Sequence, residues 1–256
     1  MVAVSEEGLR RHAVQFYEAD ERMLVSNVLR YVADGLEGGE AVIVVATEPH
    51  RQAFARALNG LGLDAEAAGR AGRLNMLDAD ETLRRFMLRE YPDAERFKKT
   101  VGALVRDAAG AAGGRVRVYG EMVGVLWSAR EYPTAIRLEQ LWYCLLKEID
   151  FALFCGYPID IFSKDFEPGI MDALLCAHSH LVPTVNDDRL TDALSRALGE
   201  VLDPKDAALL PPASAWSRAW AGLPRGESMI LWLRTQFPDR ADQVLGLARE
   251  YYATAT

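Results

Sequence analysis

The short motifs that announce the commonest chemistries are missing from this chain. No Gly-x-x-x-x-Gly-Lys-[Ser/Thr] run is present, so the backbone cradle and the lysine that hold a nucleotide's phosphates are lost. No Gly-x-Gly-x-x-Gly follows a candidate strand, which removes the dinucleotide-binding turn. Gly-x-Ser-x-Gly and His-Glu-x-x-His are absent as well, and with them the nucleophile elbow and the helix that offers two imidazoles on one face. Cysteine is scarce: Cys144, Cys155 and Cys176 stand far apart without a Cys-x-x-Cys pair. That argues against a disulfide framework or a thiol-ligated structural zinc and predicts reduced, mostly buried thiols. Basic charge is in deficit, with 29 Lys and Arg against 37 Asp and Glu for a net charge of -8. A grip on a polyanion would need a local basic stripe, which the sequence does not offer, so no direct nucleic-acid partner is expected. The longest stretch free of Asp, Glu, Lys and Arg, from Ala173 to Asn186, falls short of the roughly 18 apolar residues of a spanning helix. No membrane partner is expected. Met1 to Arg11 carries Glu6, Glu7, Arg10 and Arg11 with no apolar run behind them, which fits neither a secretory signal nor a transit peptide and predicts a cytoplasmic address.

What is present is a chain of 256 residues, half of them apolar and 26% charged, with a mean hydropathy of -0.04. That balance belongs to an ordinary folded protein. Four apolar runs read as buried strands: Ala41 to Thr47, Arg73 to Leu77, Arg115 to Tyr119 and Phe151 to Tyr157. Between them lie helical stripes, notably Phe97, Val101, Leu104, Val105 and Ala108, then Leu138, Leu141, Trp142, Leu145 and Ile149. An opening helix spans Arg22 to Leu36. Strands alternating with amphipathic helices predict an α/β fold: a three-layer α/β/α sandwich with a mainly parallel sheet, over residues 8–183. Residues 184–256 show no convincing strand; prolines 204, 211, 212, 224 and 238 cut them into short helical pieces, and Trp216, Trp220 and Trp232 supply apolar surface. A small helical C-terminal region packed on the sandwich is the simplest expectation, with partner docking as the alternative.

In a parallel sheet the ligand crevice lies beyond the carboxyl ends of the strands. Those ends carry Thr47, Glu48 and His50, then Asp78, then Gly120 and Glu121, then Tyr157 and Pro158. Thr47 and Asp78 are also natural helix N-caps, and Glu48 suits a first helical turn. Glu121 stands out, because the glycine before it lets a backbone or ligand approach closely at a strand exit. His178 and His180, two apart, would point about 200° from each other on a helix and share no metal unless the segment is extended.

Five segments in order carry a family resemblance: His12-Ala-Val-Gln15-Phe16-Tyr17, the run from Gly35 to Arg51, Val116 to Trp127, Leu138 to Trp142, and FCGYPIDIF followed by CAHSHLVP. Together they resemble the MEDS family, the sensory domain of methanogen and methylotroph signalling proteins and of the dichloromethane-responsive transcription regulator. The resemblance covers Gly8 to Pro183 and implies a RecA/KaiC-like scaffold without its phosphate loop. Where those ATPases place that loop, this chain has Tyr17-Glu18-Ala19-Asp20-Glu21-Arg22, three carboxylates that oppose a triphosphate. Glu48 falls near the position of their catalytic carboxylates.

The resemblance implies a non-catalytic cytoplasmic sensory or regulatory module without a cofactor. A small, hydrocarbon-like ligand would settle among His12, Tyr17, Glu48, His50, Tyr119, Gly120, Glu121, Trp127, Trp142 and Tyr157, aromatics forming the wall and His and Glu orienting it. The signal would pass through the helical tail or a separate output protein, and a second copy of the chain, making a homo-oligomer, is a further candidate partner. Two alternatives stand beside this: a ligand-free pseudo-ATPase scaffold that docks a partner through its tail or through Trp127 and Trp142, and a hydrolase in which Glu48, Asp78 and Glu121 gather a divalent metal.

Overall fold

The computed structural model describes residues 12–18, 21–175, 177–183, 185–207 and 223–254. They form two compact units, the first running to Pro158 and taking back Ala177–Ser179, the second made of Ile159–Cys176 and the chain from His180 onward.

In the first unit the strands are β1 (His12–Phe16), β2 (Ala41–Ala46), β3 (Leu74–Asp78), a two-residue pair β4 (Met87–Leu88) and β5 (Tyr91–Pro92), then β6 (Val116–Gly120) and β7 (Ala152–Tyr157). The helices between them are α1 (Arg22–Glu37), α2 (Glu48–Gly60), α3 (Ala65–Arg70), α4 (Ala79–Phe86), α5 (Ala94–Phe97), α6 (Ala103–Ala111), α7 (Met122–Ser128) and α8 (Tyr132–Glu148), with a π-helical turn at Lys98–Gly102 joining α5 to α6. Five strands lie parallel in the order β3-β2-β6-β7-β1. The four expected strands are found within a residue or so of their expected limits. β1 was not expected: at five residues with His12 and Gln15 among them it shows no apolar run, yet every position is buried. Pairing with β7 along the whole strand gives its backbone groups partners.

Strand alternation sorts the side chains into two layers. Tyr119 and Phe154 face α1 and α2, where Tyr31 meets Phe154 at 5.4 Å and Phe54 meets Tyr119 at 5.5 Å between ring centroids. Cys155 and Tyr157 face α7 and α8, where Trp127 lies 5.4 Å from Tyr157. Trp142 is buried with Phe97, at 5.1 Å, and with Phe151. The α/β fold with a largely parallel sheet flanked by helices is therefore established.

The second unit is helical: α9 (Pro168–Leu175), α10 (Asp187–Val201), α11 (Pro204–Ala207), α12 (Arg225–Gln236) and α13 (Pro238–Thr254). The expected stripe of Leu190, Leu194, Ala197 and Leu198 on α10 is buried, as are Val244, Leu245 and Ala248 of α13, which packs against it. Gly226 belongs to this seam, since an added Cβ would come within 2.7 Å of Leu190 Cγ while its N–H donates to Asp187 at 2.7 Å. Trp232 lies on α12, 5.5 Å from the Phe237 ring. Trp216, Trp220, Pro211, Pro212 and Cys176 fall outside the described residues. No described helix is long and apolar enough to cross a membrane.

Glu227, in the first turn of α12, is 2% exposed, and burial, with Asp187 nearby, pushes its carboxyl up to about 7. A carboxyl raised above its unfolded value of 4.5 contributes stability that is fully present below that value and is lost as pH rises through 7. The full-length chain is expected to lose about 3 kcal/mol between pH 4.5 and 8 from this group. Denaturant unfolding of Glu227→Gln should show that slope flattened; an unchanged slope would remove Glu227 as its source.

Candidate functional site

The strand ends on the α1/α2 side hold a buried polar cluster centred on Glu121, which is 1% exposed. Its position follows from the register: Gly120 ends β6 opposite Val45 of β2, and the Glu121 N–H donates to the Val45 carbonyl at 2.8 Å, turning the side chain over the end of β2. One carboxylate oxygen accepts from the Tyr119 hydroxyl at 2.8 Å and lies 2.6 Å from His50 Nδ1. The other accepts the Thr47 N–H at 2.9 Å. His50 Nε2 sits 3.0 Å from Glu21, the residue before α1. The Tyr17 ring stands edge-on to His50 at 5.7 Å, and Phe54 stacks on it at 5.7 Å.

Burial works against a charge on His50, but the hydrogen bonds and charges of Glu121 and Glu21 outweigh it and raise the imidazole to about 9. Near neutral pH the cluster is an imidazolium between two carboxylates. Burial first, and then the Glu121 charge, pushes the Tyr17 and Tyr119 phenols well above their ordinary value, so both stay protonated and Tyr119 is the donor to Glu121.

Gln15 is the residue that sequence reasoning passed over. It is wholly buried, and neither its amide nitrogen nor its amide oxygen has a hydrogen-bond partner among the described residues. The register sets it beside Gly156, and alternation turns it to the α1/α2 face, the face of Tyr119. Gly156 itself is held to glycine, because an added Cβ would lie 2.6 Å from the Tyr119 hydroxyl.

A second cluster occupies the opposite face. Tyr157 donates to Glu139 of α8 at 2.5 Å, His12 Nε2 is 3.4 Å from Glu139 and 3.3 Å from Cys155 Sγ, and His178 Nε2 is 3.5 Å from Glu139. The His12 and His178 rings are 4.0 Å apart. His178 lies past α9, outside any helix, so the helical spacing assumed for it does not apply; the side chain of His180 is outside the described residues. Glu139 and Cys155 carried no sequence motif, because residues as far apart as 12 and 178 meet here only through the sheet.

Several expectations need correction. Glu48 is exposed and, among the described residues, accepts a hydrogen bond from Gln52 of its own helix. Asp78 caps α4, accepting the Glu81 N–H, and pairs with Arg51 at 2.9 Å, so Glu48, Asp78 and Glu121 gather no metal. Thr47 precedes α2 without a side-chain cap; its N–H serves Glu121 instead. Gly120 is not the tight glycine, since a Cβ there would meet only the Trp142 ring at 4.0 Å. Trp127 and Trp142, 3% and 1% exposed, are too buried to dock a partner. Cys144 is exposed, contrary to the expected burial, while Cys155 is buried. A surface groove of about 230 Å³ beside α5 and α8, lined by Phe97, Leu141 and Cys144 among others, contains none of the expected site residues.

Residues 11–179 match the family described as MEDS, the MEthanogen/methylotroph, DcmR Sensory domain. The chain belongs to the MEDS family. The match spans the first unit's sheet with its flanking helices and both polar clusters. MEDS domains are sensory and non-catalytic. No curated protein matches the chain.

Two outcomes test this geometry. Gly156→Ala should lower the melting temperature by driving Tyr119 from Glu121, and adding Tyr119→Phe, which removes the clashing hydroxyl, should recover part of the loss; additive losses in the double variant would contradict the contact. His50, raised from 6.5 to about 9, contributes stability fully present below pH 6.5 and lost as pH rises through 9. Proton titration of the His50 ring by NMR should report the raised value, and Glu121→Gln should bring it down.

Proposed function

We propose that this MEDS protein senses a small neutral or cationic molecule with an apolar body, taken up at the strand ends on the α1/α2 face among Gln15, Tyr17, His50, Tyr119 and Glu121. The observation that carries the reading is Gln15. A buried amide without partners costs on the order of 1–3 kcal/mol, and a site that recognises a hydroxyl, amine or carbonyl is where such a group becomes useful. One imidazolium against Glu21 and Glu121 leaves the cluster with a net negative charge, which disfavours phosphates and carboxylates. Tyr17, 8% exposed, is the member nearest solvent and serves as the entrance. The aromatics Phe54 and Tyr119 supply the apolar wall. Binding is reported to the helical unit or to a separate output protein.

The test is a panel of short alcohols, alkylamines and haloalkanes followed by thermal shift. At least one class should raise the melting temperature saturably. Gln15→Leu, which removes the unpartnered amide at nearly constant volume, should stabilise the free protein by about 1–3 kcal/mol and abolish the ligand response. A ligand response retained in full by Gln15→Leu, or a destabilised variant, would sink this assignment.

A further inference from the structure

The second cluster lies on the other face of the sheet from Gln15 and is independent of that reading. We propose that His12, Glu139, Cys155 and His178 form a binding site for one divalent transition-metal ion of the zinc class. Each offers a single donor, two imidazole nitrogens, a sulfur and a carboxylate oxygen, and all lie within 4.8 Å of one another. A tetrahedral ion bound at about 2.0–2.3 Å requires its donors to stand roughly 3.3–3.8 Å apart. The 3.3 Å from His12 Nε2 to Cys155 Sγ and the 3.4 Å from His12 Nε2 to Glu139 Oε2 meet that requirement before any ion is placed, and His178 Nε2 stands 3.5 Å from the other oxygen of the same carboxylate, Oε1.

The outer contacts point the same way. His12 Nδ1 is 2.7 Å from the Ala177 carbonyl, which can only accept, so Nδ1 carries the hydrogen. The other ring nitrogen, Nε2, then faces the Cys155 sulfur at 3.3 Å and the Glu139 carboxylate at 3.4 Å, two groups that ligate zinc-class ions. An imidazole whose far nitrogen donates to a carbonyl is the usual way a metal-binding histidine is oriented. Tyr157 does the equivalent for Glu139, donating to Oε1 at 2.5 Å. His178 is brought in by its neighbour: the Ser179 N–H donates to the His12 carbonyl at 2.7 Å and the Ser179 hydroxyl donates to the same oxygen at 2.9 Å.

Donor chemistry selects the ion. Calcium and magnesium take oxygen donors in larger shells, whereas one thiolate with two imidazoles and a carboxylate suits zinc and its softer neighbours. Four protein donors close a tetrahedral shell and leave no position for a reacting water, which fits a sensory domain and not a hydrolase. Binding replaces the Cys155 thiol proton, released to solvent, with the metal–sulfur bond.

The experiment uses the untagged full chain, stripped by a chelator under reducing conditions and titrated with Co²⁺, then with Zn²⁺. One Co²⁺ per chain should give the intense visible bands of a tetrahedral site together with a near-ultraviolet thiolate-to-cobalt band, and Zn²⁺ should displace it. Cys155→Ser should lose the thiolate band, while Cys144→Ser, at an exposed cysteine outside the cluster, should keep it. Tyr157→Phe, which removes only an orienting bond, should weaken binding by about 10- to 100-fold. Absence of tetrahedral bands in wild-type protein that is folded by circular dichroism would overturn the proposal. So would a thiolate band that Cys144→Ser abolishes, or one that survives in Cys155→Ser; if Cys155→Ser does not fold, His178→Ala takes its place, and unchanged cobalt affinity in that variant is equally fatal.

Discussion

A carboxylate with almost no exposed surface is tolerated only when its charge and its lone pairs are both answered, and Glu121 is answered from three elements at once. The Thr47 N–H comes from the end of β2, the imidazole of His50 from the first turn of α2, and the Tyr119 hydroxyl from β6 itself. Through His50 the network continues to Glu21, just before α1. Removing one member would leave the others buried and uncompensated, so the cluster behaves as a unit. The remaining side chains of this end pack against the imidazolium, Tyr17 edge-on and Phe54 stacked, and leave it almost no exposed surface.

The sequence made the sheet legible where its strands are central and apolar. AVIVVA of β2, for instance, is buried at every position, and no other arrangement hides six consecutive apolar residues so economically. β1 escaped because its evidence is not in its composition. His12 and Gln15 sit in a strand for the sake of what they meet, His12 the Glu139 cluster and Gln15 the face of Tyr119, and a polar residue at a buried strand position reads from sequence as loop. The pieces of the helical region showed in the period of α10, whose leucines are buried as spaced.

The candidate site was legible in part. Glu121 and His50 were named from position alone, since strand ends and the residues just beyond them converge in a parallel sheet, while Tyr17 and Tyr119 entered with the family resemblance. The pairing of His50 with both Glu121 and Glu21 was not, because it depends on how α2 leaves β2 and on where the chain before α1 passes. Glu139 and Cys155 were invisible for a related reason: metal motifs are recognisable when their donors share a turn or a helix, and here each donor comes from a different element. His178 was weighed only against His180 on a helix or an extended segment, whereas α9 ends at Leu175 and the groups His178 meets come from other elements.

The two clusters are less separate than their opposite faces suggest. Cys155, Gly156 and Tyr157 are consecutive on β7, so alternation sends the first and third toward His12 and Glu139 and leaves the second against the Tyr119 hydroxyl. A strand cannot slide by one residue without exchanging these faces, which would bring a thiol and a phenol to the Glu121 side and leave Glu139 facing a glycine. Nor can it rise toward α1, since Gly156 already lies where only a hydrogen fits beside Tyr119. The register of one buried strand therefore sets the geometry of both clusters, and the glycine at its centre is what allows them to lie back to back. On the α7 side the same strand meets a second glycine, Gly124, whose added Cβ would fall 2.6 Å from the Gly156 carbonyl. Between Tyr119 on one face and Gly124 on the other, the end of β7 is clamped by contacts that tolerate no added carbon, and this rigidity keeps Glu121 and Glu139 in place on opposite sides of a single peptide.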